Sequence, residues 1–143
     1  MSSAAVSART VVLKMGTAGS PSALATIAEV KSFSGPGPTS EQIDVTNLDS
    51  VGSYREFIAG FKDAGEISGV ANFVTSHTTA STGVIAAFND GVVRDFSILF
   101  PLTGGNKTAT FSGFIKTWST EISVDGAIPL NFTIKLTGAV TIT

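Results

Sequence analysis

Residues 130–142 read LNFTIKLTGAVTI, in which Leu130, Phe132, Ile134 and Leu136 alternate with Asn131, Thr133, Lys135 and Thr137. A period of two puts the apolar side chains on one face of an extended strand and the polar ones on the other. Val140 and Ile142 carry the apolar face to the end of the chain. Working back, 107–118 and 92–100 predict a hairpin closed by Pro101-Leu102-Thr103-Gly104-Gly105-Asn106. Residues 66–74 return to period two, with Ile67, Gly69, Ala71 and Phe73 on one face. Residues 25–34 predict one more strand, stopped by Gly35-Pro36-Gly37-Pro38, and 41–48 only a short extended piece. A single helix is expected over 78–89, where Ala80, Val84 and Phe88 recur every four residues before Asn89-Asp90-Gly91. Six or seven strands, one helix and no βαβ rhythm give a mainly β class: an antiparallel β-sandwich or barrel with one flanking α-helix.

Two stretches resist this reading. Residues 1–22 are rich in Ala, Ser, Thr and Gly and are expected to form a poorly buried arm with one short strand over 10–13. Residues 35–65 read as a long loop. Over 49–65 charged side chains interleave with Tyr54, Phe57 and Phe61 in a pattern that is neither a clean helix nor a clean strand. A connection of that length in a compact domain is functional or disordered. Its aromatic residues need a surface to cover them, so the loop is expected to order against a neighbouring subunit. There Arg55, Lys62 and Asp63 would find opposite charges.

Composition narrows the class. The chain has 143 residues, room for one domain over 1–143 with a real core. Charged residues are 14% against 43% hydrophobic, so much of the polar surface is uncharged Ser and Thr. A surface so poor in charge suits one covered by neighbours. With 9 basic and 11 acidic residues and no basic run, tight nucleic-acid binding is disfavoured. Cysteine is absent, which excludes disulfides and thiolate metal sites. The first fifteen residues lack an apolar core for a secretory signal, and no stretch approaches eighteen consecutive apolar residues, so no membrane segment is expected.

Catalytic chemistry finds little to work with. His77 is the only histidine and reads as a structural one. Gly104-Gly105-Asn106-Lys107-Thr108 lacks the spacing of a phosphate loop and lies between two strands. Asp44, Asp49, Asp63 and Glu66 share one region, but their spacing fits no metal loop. The acceptor patterns at Asn106 and Asn131 carry no meaning without a secretory signal. No catalytic, metal or cofactor residues are assigned, and an enzyme is not expected.

The run from Asp44-Val45-Thr46 through Asp49-Ser50 to Gly60-Phe61-Lys62-Asp63-Ala64-Gly65-Glu66 resembles the lambda-type tail tube proteins of long-tailed bacteriophages. So do IAEVKSFSGPG (27–37), FSGFIKTWSTEISVDGAI (111–128) and FTIKLTGAVTI (132–142). The resemblance covers most of the chain beyond the first twenty residues.

It implies a β-sandwich whose inner sheet joins a ring-wide barrel, in rings of six copies stacked into a tube that conducts DNA into the host. It further implies a virion tail assembled in the host cytoplasm, with the chain itself as first partner. Tape measure protein would fill the lumen and terminator and baseplate proteins would cap the ends, while genomic DNA would pass without specific binding. The residues assigned to the subunit and ring interface are Asp44, Asp49, Tyr54, Arg55, Phe57, Phe61, Lys62 and Asp63. Two other readings stay open: the tube subunit of a contractile tail or type VI secretion-like system, and a carbohydrate-binding decoration module.

Overall fold

The computed structural model describes residues 11–17, 20–79, 83–122 and 124–143. Nine strands run through them: β1 Val12–Thr17, β2 Ser20–Thr26, β3 Val30–Ser34, β4 Thr39–Asp44, β5 Phe57–Asp63, β6 Glu66–Asn72, β7 Arg94–Phe100, β8 Lys107–Thr120 and β9 Pro129–Ile142. A 3-10 turn at Val51–Ser53 and two helical pieces, α1 Ser76–Thr79 and α2 Val84–Asp90, complete them.

Seven strands form one antiparallel sheet in the order β2-β1-β7-β8-β9-β6-β3. Its two edges, β2 and β3, are consecutive in sequence and joined only by residues 27–29. Seven flat strands would hold the edges about 29 Å apart at a spacing of about 4.8 Å. The link from Thr26 to Val30 spans at most about 14 Å. The sheet therefore rolls until its edges converge. Ile27, 1% exposed, plugs the corner and donates its N–H to the Leu13 carbonyl at 3.2 Å. Leu13 of β1 and Phe33 of β3 line one cleft across the seam.

The inside of the roll is the core. Leu13, Met15, Ile67, Ala71, Ile98, Phe132 and Ile134 are buried in it, and Phe96 stacks on Phe111 with centroids 5.6 Å apart. α2 closes the core with Val84, Ile85 and Ala87. The helix expected over 78–89 starts only at Val84, after Gly83 in extended conformation, and Ser76–Thr79 forms a separate turn. This phase puts Ala87 inside and leaves Phe88 40% exposed; Ala80 lies outside the described residues.

Three further expectations are corrected. The strand expected over 10–13 is β1, and with Met15 at 0% exposure it is core, not arm; residues 1–10 lie outside the described residues. The strand expected over 25–34 is two, because the chain turns through Glu29 at φ 50. The stretch 49–65, read as irregular, contains β5, which pairs with β4 from Thr39↔Asp63 to Asp44↔Phe57.

Candidate assembly interface

β3 pairs with β6, and the residues that follow and precede them pair as β4 with β5. Residues 30–72 are thus one long antiparallel ribbon with an interruption. Its first half belongs to the rolled sheet; its second half, the β4–β5 hairpin, leaves it. The break is built from Gly35-Pro36-Gly37-Pro38 on one strand and Ala64-Gly65 on the other. Gly35 (φ 107) and Gly65 (φ 83) occupy the left-handed region where a side chain is strained. A Cβ on Gly65 would sit 2.7 Å from the Gly37 carbonyl oxygen, and one on Gly35 would sit 2.5 Å from that of Glu66. The two strands approach too closely there for anything but glycine.

Polar contacts aim the hairpin. Lys135 of β9 pairs with Asp63 at 3.1 Å, and the Leu136 N–H donates to the Gly65 carbonyl at 3.2 Å. The Gly65 N–H donates to Asp63 Oδ1 at 2.8 Å, and this bond, with Lys135, holds the Asp63 carboxyl below its ordinary pKa. Between the hairpin root and residues 135–139 of β9 lies an open cleft of about 680 Å³ that includes Glu41 and Phe61.

The tip has its own network. Asp44 Oδ1 accepts from the Thr46 N–H at 2.9 Å and Asn47 Oδ1 from the Asp49 N–H at 2.8 Å, turns that Asp and Asn side chains favour. Glu56 N–H donates to the Thr46 hydroxyl at 2.8 Å, and the Ser50 hydroxyl donates to Glu56 Oε2 at 3.0 Å. Arg55 pairs with Asp44 at 3.0 Å. Hydrogen bonds from Thr46, ahead of the Arg55 contribution, hold the Asp44 carboxyl below its ordinary pKa.

All eight residues assigned to the interface by sequence lie on this hairpin and are exposed. The charges behave differently from expectation. Arg55 and Asp63 find their opposite charges within the chain, while Lys62 stays exposed beside them. The apolar residues are open to solvent in the single chain: Phe61 is 89% and Tyr54 78% exposed, with Phe57 and Ile58 about half exposed. Sequence reasoning missed Leu48 and Val51, which stand exposed at the tip. A two-stranded ribbon with no core face is marginal in water. Among the described residues no His, Cys, Asp and Glu cluster could hold a metal ion, and no helix is long and apolar enough to cross a membrane.

No curated protein sequence is a significant match to the chain. Among solved structures, the tail of an empty gene transfer agent particle, determined with C6 helical symmetry, superposes with a TM-score of 0.76 at 27% identity over 97% of this chain and 99% of that one. The SPP1 tail tube superposes with a TM-score of 0.68 at 10% identity, over 96% of this chain and 78% of that one, which shows a shared fold. The sheath-tube complex of an extracellular contractile injection system does so too, with a TM-score of 0.68 at 12% identity over 97% and 91% of the two chains. The model of the lambda phage tail tube protein family matches residues 14–143, so the rolled sheet and its projecting hairpin are those of a tail tube protein, and the chain belongs to that family.

Proposed function

We propose that copies of this chain close into six-membered rings that stack into a tail tube, the conduit for DNA ejection, and that the β4–β5 hairpin makes the contact between subunits. The observation that carries the reading is a preformed hairpin, aimed by the Asp63–Lys135 pair, that presents Phe61 and Tyr54 to solvent. Covering one such side chain is worth about 1.5–3 kcal/mol, so several together drive association. Six-fold symmetry is supported by the gene transfer agent tail.

The role is structural and not catalytic. Tape measure protein in the lumen, terminator and baseplate proteins at the ends, and assembly in the host cytoplasm complete the reading. Related folds occur in a tube-terminating cap and a sheath/tube terminator, which supports capped ends. Negative-stain microscopy of the purified protein tests it: rings and tubes are expected, and a species that stays monomeric by sedimentation at high concentration refutes it.

A further inference from the structure

The edge strands β2 and β3 converge without pairing, and the seam beside β3 is an open cleft of about 490 Å³. Its apolar walls are Leu13 of β1, Val30 and Phe33 of β3 and Phe100 of β7. Leu13 is buried, whereas Val30, Phe33 and Phe100 are only partly so. The volume suits a group of several side chains, and an edge strand such as β3 is a side of the sheet on which another chain can settle. Lys31, exposed, belongs to the lining, and Lys107, also exposed, stands in register with Phe100. The acidic Glu29 beside them accepts from the Asn72 amide at 3.4 Å.

The tip of the β4–β5 hairpin has the complementary character. Leu48, Val51 and Tyr54 are exposed there. The Ser50 N–H donates to the Asn47 carbonyl at 3.1 Å and the Tyr54 N–H to the Val51 carbonyl at 3.3 Å, so the apolar side chains stand on a formed turn and docking costs little ordering. Between 44 and 56 the charges are Asp44, Asp49 and Glu56 against Arg55, and Arg55 is already paired with Asp44. The tip is therefore acidic where the cleft is basic. Gly35 both lines the cleft and roots the hairpin. The six residues of β4 carry the tip about 20 Å beyond that root, out of reach of the chain's own cleft.

We propose that the hairpin tip of one copy, led by Leu48 and Val51, seats in the seam cleft between β1 and β3 of a neighbouring copy, with Asp49 and Glu56 against Lys31 and Lys107. This rests on the reading of the hairpin as the subunit contact and adds the surface that receives it. Tip and cleft are different patches of one chain, so the contact is heterologous and repeats head to tail. The apolar side chains supply the affinity and the opposite charges fix the register.

The absence of cysteine makes directed cross-linking clean. Leu48→Cys with Ser34→Cys puts one thiol on the tip and one in the cleft lining, both at exposed positions outside the core. Treated with a short bis-maleimide, tubes of this variant are expected to give a ladder of covalent dimers, trimers and longer chains on a denaturing gel, while dilute monomer and either single variant give no ladder. Val51→Cys with Ser32→Cys should behave alike, which keeps the test open if the first pair assembles poorly. Lys31→Glu should raise the critical concentration for tubes about tenfold, and adding Asp49→Lys should bring it back. Tubes that yield no ladder from either pair overturn the proposal and leave the hairpin contact standing, as does Lys31→Glu with unaltered assembly. An unmodified protein that forms no tubes refutes the tube reading, and this contact falls with it.

Discussion

The guanidinium of Arg94, at the start of β7 and almost fully buried, is ion-paired with the carboxylate of Asp90, the last residue of α2. Its Nη1 also donates to the Gly16 carbonyl of β1 at 3.1 Å. One side chain thus ties the helix, β7 and β1 together, with the guanidinium itself almost wholly out of water. Removing one partner of such a pair leaves the other buried and uncompensated. Asp90→Ala is expected to destabilise the subunit by about 3 kcal/mol, at the low end for buried pairs because Asp90 is partly exposed. Adding Arg94→Met should recover part of the loss, read by urea denaturation of the single and double variants.

Phe61→Ala should separate assembly from folding. The side chain is 89% exposed, so subunit stability should change by no more than about 0.5 kcal/mol. The critical concentration for tube formation should rise about tenfold or more, from the loss of about 1.5–3 kcal/mol of burial. Ile134→Ala, at a fully buried position, should do the reverse and cost the subunit about 2–5 kcal/mol. Thermal melts beside light scattering distinguish the two.

Gly65→Ala should misdirect the hairpin. The left-handed conformation costs a side chain about 1–2 kcal/mol, and the new Cβ would meet the Gly37 carbonyl at 2.7 Å. The strands at the root must part, and tube assembly is expected to fail while the rolled sheet still melts cooperatively by circular dichroism.

Stability should fall in acid for two different reasons. Burial lowers the His77 pKa below 6.5, against smaller opposing contributions from the backbone of Asn72 and Ala28 and the charge of Glu29. Its unfolded form therefore binds a proton first. Stability is complete above pH about 6.5, declines as pH falls toward the lower folded value, and is flat below it. Asp44 and Asp63, whose folded values lie below 3.8, contribute stability above that pH and lose it as pH drops through their folded values. Melting temperature against pH should show both steps, and His77→Gln should remove only the upper one.

Periodicity made the sheet legible where one face is buried and hid it elsewhere. The 130–142 stretch alternates because Leu130 to Leu136 meet the core and their neighbours do not. β5 reads FIAGFKD with Phe57, Ile58 and Phe61 in no period, because neither face of the hairpin has a core to match. β1 offered only Leu13 and Met15 as signal, and the turn at Glu29 uses a positive φ that a glutamate does not announce. The hairpin's aromatic and charged residues were legible as a group. Their partners were not, since Lys135 lies 72 residues from Asp63 and reaches it only through the roll of the sheet.

The interruption of the ribbon at its glycine root also has a mechanical meaning. A seven-stranded roll is stiff, because bending it must break many hydrogen bonds at once. A two-stranded hairpin hung from Gly35 and Gly65 is narrow and compliant. If the hairpins join the subunits as proposed, bending strain collects in these connectors before it reaches the rolled sheets.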